Sequence, residues 1–380
     1  MKPIYLDHAA TSPLHPKALE AMMPYFSEHF GNPSSIHRFG RTTRHALDEA
    51  RSSLAQSIGA NPDELIFTSG GTEADNMAIT GYVLKNKKKG NHIITTAIEH
   101  HAVLHTCKAL EEQGFEVTYL PVDEKGIVSL AELKRHVRQE TILVSIMYGN
   151  NEVGTIQPIE EIGAYLKEYD IAFHTDAVQA YGTIPLDVEQ LSATFLSVSA
   201  HKINGPKGVG FLYAKKGYDL KPQFYGGEQE RKRRAGTENV ASIVGFAEAA
   251  KLAVAEIQEK QQRYLEFRER MITVFREEEL EFSVNGHEVD VLPHVFNVSF
   301  KGVNVESLLV NLDLAGIAVS SGSACTAGSI EPSHVLTAMF NDSEKAKSAV
   351  RFSFGYGNTI EDIEKAAKET VQIVKRITSF

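Results

Sequence analysis

Short runs of β-branched residues alternate with amphipathic stretches through the first two thirds of the chain. The alternating segments are residues 65–68, 71–84, 92–96, 102–113, 116–120, 141–147 and 159–168. This order is typical of strands joined by crossover helices, so it predicts an α/β fold with a largely parallel sheet covered on both faces. With 380 residues, 42% of them hydrophobic, the chain has enough apolar material for one large domain and a smaller one.

The last third of the sequence predicts a smaller α+β domain. A long helix over about 240–277 leads away from the α/β region, and its polar middle indicates one solvent-facing side. Beyond it we predict strands near 282–284, 295–300 and 349–353 and helices near 305–315, 333–340 and 361–377. A strand around 4–7 fits either domain. The predicted large domain is 16–255, and 1–15 with 256–380 form the small one.

Charge and hydropathy exclude several classes of protein. The formal net charge of −10 argues against a nucleic-acid-coating surface, and the basic run at 231–234 is better explained as a solvated loop or a neighbour of a cofactor phosphate. No segment is apolar for the length of a membrane span, and the first residues lack a signal-peptide core. We therefore expect a soluble cytoplasmic protein with no direct nucleic-acid binding. Its two cysteines, Cys107 and Cys325, are expected to be free thiols.

Lys202 and Asp176 point to pyridoxal phosphate. Lys202 follows a strand-like stretch and opens a Gly/Pro-rich turn, where an amine can condense with the aldehyde of the cofactor as a Schiff base. Asp176 ends the apolar stretch 171–176, where a carboxylate can pair with the pyridinium nitrogen. The alternatives are a lysine opening a surface loop and an aspartate starting a turn. Together the two residues favour the cofactor.

A phosphate site is predicted in the turn between the strand 65–68 and the following helix. Gly71 lets backbone amides approach a ligand at a helix N-terminus, and Thr72 adds a hydroxyl. The alternative is that Thr72 is an ordinary N-cap, with Asp75 completing a capping arrangement. Further candidate donors to the phosphate are Ser199, His201 and Thr237.

Ring-contacting and substrate-binding residues are predicted at the ends of other strands. His100 or His101 follows the strand 92–96, where an imidazole can stack on a pyridine ring; a helix cap, or metal ligation by His101 and His105, are the alternatives. Asn151 and Gln179 are candidate donors to the phenolic oxygen of the cofactor and to the substrate carboxylate, or else turn residues.

Arg351 and Cys325 complete the candidate site. Arg351 lies in an apolar strand, and its planar fork suits a bidentate grip on a carboxylate, an exposed salt bridge being the alternative. Cys325 lies in a run of Gly, Ser, Ala and Thr without apolar packing partners, which indicates an exposed, mobile thiol. Cys107 is interpreted as a core residue, because apolar residues surround it in its helix.

In these motifs the sequence resembles the cysteine desulfurases, which are fold-type I pyridoxal phosphate enzymes. The resemblance covers almost the whole chain and includes several separate motifs in the same order. They are YLDHAAT at 5–11, FTSGGTE at 67–73, SAHK at 199–202, SGSACT at 321–326 and RFS at 351–353. The segment around Cys325 resembles the longer form found in the branch that serves iron–sulfur assembly and tRNA thiolation.

The resemblance implies a role for each candidate residue. It assigns Lys202 to the covalent link with the cofactor, Asp176 to the pyridine nitrogen and His100, rather than His101, to ring stacking. It assigns Arg351 to the substrate carboxylate and the thiol of Cys325 to the sulfur. Asn151 and Gln179 match ring-contacting residues, and the phosphate-binding positions are Gly71, Thr72, Ser199 and His201. Thr237 is expected to reach the cofactor of the partner subunit in a homodimer, and no metal is expected.

The implied activity is removal of sulfur from L-cysteine. The products are L-alanine and a persulfide on Cys325, whose sulfur passes to an acceptor protein such as an iron–sulfur scaffold or a tRNA-thiolating enzyme. A selenocysteine lyase or an aminotransferase on the same scaffold is the alternative enzyme. A cofactor-free sulfur-relay or scaffold protein is the alternative from another class.

Overall fold

The strands fall into one large and two small sheets. The computed structural model describes residues 3–322, 332–341 and 343–379. Within them the strands are β1 (Ile4–Tyr5), β2 (Leu65–Thr68), β3 (His92–Thr96), β4 (Glu116–Leu120), β5 (Thr141–Ser145), β6 (Ala172–Asp176), β7 (Phe195–Ser199), β8 (Gly210–Ala214), β9 (Phe282–Asn285), β10 (Val295–Phe300), β11 (Ile317–Ala318) and β12 (Ala349–Ser353).

The helices lie between these strands in the expected alternation. They are α1 (Pro16–Met22), α2 (Pro24–Ser27), α3 (Arg38–Gln56), α4 (Gly71–Asn86), α5 (His101–Glu111), α6 (Leu130–His136), α7 (Ile159–Glu168), α8 (Val240–Ala255), α9 (Ile257–Glu277), α10 (Val305–Leu314), α11 (His334–Phe340), α12 (Ser343–Lys347) and α13 (Ile360–Thr378). In the part of the chain that the structure describes, no helix combines the length and the apolar composition needed to cross a membrane.

A mostly parallel sheet forms the centre of the larger part of the molecule. Within the described residues it has seven strands in the order β2-β8-β7-β6-β5-β3-β4, and β8 alone runs antiparallel to its neighbours. Every residue of β5, β6 and β7 is buried, because helices cover both faces. Successive residues of β2 belong to different core clusters, Leu65 and Phe67 to one and Ile66 to the other. The prediction of this architecture is confirmed.

A second core forms around the antiparallel sheet β12-β10-β9. Its buried side chains come from this sheet and from α9, α10 and α13, and they form an apolar cluster of their own. β1 pairs in parallel with β11, so the N-terminal strand belongs to this smaller unit. This α+β unit was expected, and its boundaries at 15/16 and 255/256 stay a prediction.

The long helix expected over about 240–277 is two helices. α8 ends at Ala255 and α9 begins at Ile257, and Glu256 between them leaves helical geometry with φ −103° and ψ 8°. α8 packs against α1 and α3, whereas α9 packs against α13. Because the two halves pack on different cores, one straight helix would not reach both, and the expectation of a single helix is wrong.

The topology gathers the polar ends of several strands at one edge. β2, β3, β5, β6 and β7 end at Thr68, Thr96, Ser145, Asp176 and Ser199, and their carboxyl ends point the same way. This is the edge at which open α/β sheets bind ligands.

Candidate active site

A cavity of about 420 Å³ lies at this edge of the sheet. Of the residues predicted from sequence, it is lined by Gly71, Thr72, His100, Asn151, Asp176, Gln179, Ser199, His201, Lys202 and Arg351. Thr237 is exposed and does not line the cavity. Cys325 lies outside the described residues, while Gly322, three positions before it, lines the cavity.

Lys202 reaches the cavity from a tight turn after β7. A single turn of 3₁₀ helix over Ala200–Lys202 follows Ser199 directly, and Gly205 packs so closely that a Cβ there would lie 2.8 Å from Ala200 O. The Nζ atom donates to the carbonyl oxygens of Ala9 at 2.5 Å and Ala10 at 2.8 Å. The N-terminal segment therefore closes the cavity beside the amine, although it is almost two hundred residues away in sequence.

Two buried carboxyl groups face the cavity. Asp176 ends β6 and accepts a hydrogen bond from the backbone N–H of Val178 at 2.9 Å. Burial, then the charge of Asp75, raises the pKa of Asp176 to about 7. Burial likewise raises the pKa of Asp75 to about 7, and its Oδ1 has no hydrogen-bond partner among the described residues. A cationic ring nitrogen beside these groups would favour their ionised forms.

His174, on β6, lies beside the carboxyl group of Asp75. Its Nδ1 is 2.8 Å from Ser145 Oγ, and its Nε2 is 3.0 Å from Ser197 Oγ and 3.5 Å from Asp75 Oδ1. Burial lowers the pKa of His174 to about 4, so the imidazole is neutral at pH 7. This side chain therefore supplies hydrogen bonds to the site and no charge.

The turn before α4 has the geometry of an anion site. Gly70, with φ 150°, is the N-cap residue, and Gly71 begins the helix. A Cβ on Gly71 would lie 2.7 Å from Val178 Cγ2, so only glycine fits there. The N-terminus leaves backbone N–H groups and a positive dipole end directed at the cavity. Thr72 is not the N-cap, so the alternative reading of Thr72 and Asp75 as a capping pair is wrong.

The first turn of α4 also contains an acid, whose charge is compensated by a basic residue. Glu73 accepts a hydrogen bond from Ser69 N at 2.7 Å, and Arg234 Nε donates to its Oε1 at 2.7 Å. This pair places one residue of the basic run 231–234 beside the turn, as the sequence suggested for a phosphate neighbour. The arginine offsets the negative charge that an incoming anion would otherwise meet.

His100 both caps a helix and lines the cavity. Its Nδ1 accepts a hydrogen bond from Ala102 N at 3.1 Å at the start of α5. Burial, then Lys202, lowers its pKa to about 4, so a neutral ring is available for stacking. His101 instead stacks on His105 with ring centroids 5.0 Å apart. Within the described residues, no group of three or more His, Cys, Asp and Glu side chains is arranged to hold a metal ion.

Arg351 is buried and held at two points. It is 2% exposed, its Nη2 donates to Asp7 Oδ1 at 2.8 Å, and its Nη1 donates to the carbonyl oxygen of Asn151 at 2.9 Å. Its Nε has no hydrogen-bond partner among the described residues. The alternative of an exposed salt bridge on the strand is therefore wrong, since the ion pair lies inside the molecule.

Sequence reasoning missed two residues: Asp75, which lines the cavity, and His294, which contacts the cavity residue Gln179. Asp75 was weighed only as a capping residue, yet it lies on the buried stripe of α4 with Ala78 and Ile79, and an acid at that spacing is the signal that identifies it. His294 Nε2 lies 3.1 Å from Gln179 Oε1. No local sequence pattern identifies this contact, because His294 comes from the smaller unit and lies over a hundred residues from Gln179 in the chain.

Comparison with known proteins places these residues in a family. A model of the aminotransferase class-V family matches residues 4–366. A protein of Bacillus subtilis (strain 168) named "Putative cysteine desulfurase IscS 1" is 60% identical over 379 residues, covering 100% of both chains. A "Cysteine desulfurase IscS" of Methanosarcina thermophila is 51% identical, covering 100% of this chain and 94% of its own. This chain belongs to the cysteine desulfurases.

Solved structures agree with this family. A "NIFS-LIKE PROTEIN" has a TM-score of 0.93 and 38% identity, with 98% of this chain and 100% of that chain covered. A structure described as "SspA in complex with cysteine" has a TM-score of 0.82 and 36% identity, covering 92% and 98%. The fold is that of the fold-type I pyridoxal phosphate enzymes, as expected.

The cofactor of this family is pyridoxal phosphate, and the cavity fits it. The cavity has an amine at Lys202, a buried carboxyl at Asp176 and a helix N-terminus whose Gly71 leaves no room for a Cβ. Asp75 also lines the cavity, and its Oδ1, whose contact with His174 Nε2 is long at 3.5 Å, can accept a hydrogen bond from a ligand. The nature and number of these groups match an aldehyde, a ring nitrogen and a phosphate.

Proposed function

We propose that this chain is a cysteine desulfurase that takes sulfur from L-cysteine, releases L-alanine and carries the sulfur as a persulfide on Cys325. The observation that carries the proposal is the meeting of Lys202, Asp176 and Arg351 around one cavity. An amine, an acid and a carboxylate-binding fork are what an amino acid and its activating cofactor require.

The site residues have distinct proposed roles. Lys202 holds the cofactor, Asp176 pairs with its ring nitrogen and His100 lies against its ring. The α4 N-terminus at Gly71 and Thr72, with Ser199 and His201, holds the phosphate. When bound, pyridoxal phosphate supplies an electron sink for the pair released at the substrate α-carbon.

The protein's own groups then handle the substrate, its proton and its sulfur. Arg351 orients the carboxylate of L-cysteine, and Lys202 Nζ takes the α-proton. The Cβ–S bond breaks as the Cys325 thiolate bonds to that sulfur, and the electron pair left on carbon is protonated to give alanine. The sulfur leaves Cys325 when an acceptor thiol attacks the persulfide.

We also propose a sulfur acceptor, an oligomeric state and a cellular location for this protein. Relatives named IscS support an iron–sulfur scaffold as the acceptor, and we include a tRNA-thiolating enzyme as the other candidate. We propose a cytoplasmic homodimer with neither membrane nor direct nucleic-acid partners. Four exposed apolar side chains close together in the sequence, here called the apolar patch, support the dimer: Phe26 (61% exposed), Phe30 (67%), Ile36 (91%) and Phe39 (55%).

Two variants test the proposed activity. Lys202→Ala is expected to lose the visible absorbance of the covalently held cofactor together with alanine formation. Cys325→Ser is expected to keep that absorbance and to stop sulfide release with dithiothreitol. Full turnover by the serine variant would contradict the persulfide and favour a lyase or aminotransferase, and a colourless wild-type protein would contradict the cofactor.

A further inference from the structure

The side-chain amide of Gln179 is held at both of its ends. Its Nε2 donates to the carbonyl oxygen of Ala9 at 2.9 Å, and its Oε1 lies 3.1 Å from Nε2 of His294. A carbonyl oxygen can only accept, so the end facing Ala9 is the nitrogen and the end facing His294 is the oxygen. The ring nitrogen of His294 must therefore carry the hydrogen of the second bond.

The electrostatic surroundings keep His294 neutral. Burial, followed by the charges of His8, Lys202 and Arg351, lowers its pKa to about 3. A neutral ring with hydrogen on Nε2 leaves Nδ1 unprotonated, and Nδ1 has no hydrogen-bond partner among the described residues. His294 is 8% exposed and does not line the cavity, and its hydrogen bond to Gln179 connects its side chain to a residue that does.

We propose that His294 is a positioning residue, which locks the amide of Gln179 so that its second Nε2 hydrogen is available to the phenolic oxygen of the cofactor. The Ala9 carbonyl fixes only the nitrogen end of the amide, whereas His294 fixes the oxygen end. Without His294, the buried Gln179 oxygen loses its donor, and the amide is free to turn away from the cavity.

A matched pair of substitutions isolates the hydrogen bond. In His294→Gln the side-chain amide nitrogen lies near the former Nε2, whereas in His294→Asn it lies near the former Nδ1. Both variants are polar and both remove the ring, so a loss of packing affects both. Titrating the cofactor-free full chain with pyridoxal phosphate is expected to give an affinity within about 2-fold of wild type for His294→Gln and about 3- to 10-fold weaker for His294→Asn.

Two further measurements separate positioning from simple stability. If His294 acts through Gln179, His294→Asn has no further effect on cofactor affinity in a Gln179→Ala background. Nitrogen-15 NMR of the wild-type chain is expected to show a neutral His294 with hydrogen on Nε2. Equal cofactor affinities for the two single variants, additive losses in the double variant, or hydrogen on Nδ1 would each overturn the proposal.

The inference rests on the proposed function and on the ring contact that the family resemblance implies for Gln179, but its tests need no turnover. A wild-type chain that binds pyridoxal phosphate and fails to desulfurate cysteine would defeat the proposed function. The comparison of the two His294 variants would still be decided by their cofactor affinities. The two failures are therefore distinguishable.

Discussion

The cluster of buried acids makes the stability of the cofactor-free protein depend on pH. The pKa of Asp75 is raised to about 7, above its value in the unfolded chain, so the folded state binds more protons between about pH 4 and pH 7. The contribution of this carboxyl is therefore complete at low pH and is lost as pH rises through about 7. Histidines with lowered pKa, such as His174, act in the opposite direction, so wild type alone does not isolate the effect.

Asp75→Asn removes this ionisation and keeps every histidine in the chain, although it also removes a charge beside His174 and Asp176. From pH 5 to pH 8 the unfolding free energy of the variant, relative to that of wild type, is expected to rise by on the order of 2 kcal/mol. Any pH-independent effect of the substitution adds the same amount at both pH values and does not alter this change. Thermal unfolding of the cofactor-free proteins at both pH values measures this difference. Glu112→Gln, on the surface, is the control and is expected to show no such change. If the stability difference between Asp75→Asn and wild type is the same at both pH values, Asp75 is not a buried acid with a raised pKa.

Arg351 is expected to govern the affinity for the substrate carboxylate. Arg351→Lys keeps the charge and loses the planar fork, so kcat/KM for L-cysteine is expected to fall about 10- to 100-fold, mainly through KM. The visible absorbance of the cofactor should persist. Because Arg351 also binds Asp7, Asp7→Asn is the control. An equal loss of kcat/KM in Asp7→Asn would show that the arginine serves only as a structural anchor.

At the level of elements, the first residue of α4, Gly71, packs closely against Val178 in the turn after β6. Gly71→Ala brings a Cβ to 2.7 Å from Val178 Cγ2, and the β-branched valine has little rotamer freedom with which to yield. The helix N-terminus must therefore shift, and the affinity for pyridoxal phosphate is expected to fall about 10-fold or more. In the Gly71→Ala and Val178→Ala double variant the clash is absent, and most of the affinity should return. A failure to recover would assign the loss to something other than this contact.

The same elements show how far sequence reasoning reaches. The strands β5, β6 and β7 were predicted because each is a short β-branched or apolar stretch bounded by turn or helical segments, and their carboxyl ends locate Asp176 and Lys202. The break at Glu256 was missed, because local propensity continues through it and only packing on two cores ends α8. His294 was missed for the same reason, since its contact with Gln179 exists only when the two units meet.

A second element-level prediction concerns the two ends of the segment that contains Cys325. Glu152 is 2% exposed and accepts a hydrogen bond from Ser333 Oγ, and a Cβ on Gly322 would lie 1.9 Å from its Oε2. Gly322→Ala must therefore displace the buried side chain of Glu152. We expect slower persulfide formation, measured by alkylation of Cys325 after one turnover, with unchanged cofactor absorbance. Ser321→Ala is the control, and equal rates in the two variants would contradict this role for Gly322.

On the scale of the whole molecule, the segment that carries the exposed apolar side chains and the segment that carries Thr237 both line one surface groove. Ser34 lies between Phe30 and Ile36, and it lines a surface groove together with Glu238, the neighbour of Thr237. Thr237 itself is exposed and outside the cavity. A second copy of the chain packed on this patch would cover the apolar side chains and bring Thr237 towards the partner's phosphate site.

Ile36→Asp tests this arrangement, because a buried unpaired charge would oppose association. The variant is expected to run as a monomer of 41.9 kDa and the wild type at twice that mass, and light scattering after gel filtration measures both. Its affinity for pyridoxal phosphate should fall, since Thr237 no longer reaches a neighbouring site. Leu314→Asp, on the smaller unit at 80% exposure, is the matched control and should stay dimeric with full affinity. A monomeric Ile36→Asp with wild-type affinity would show that each site is complete within one chain.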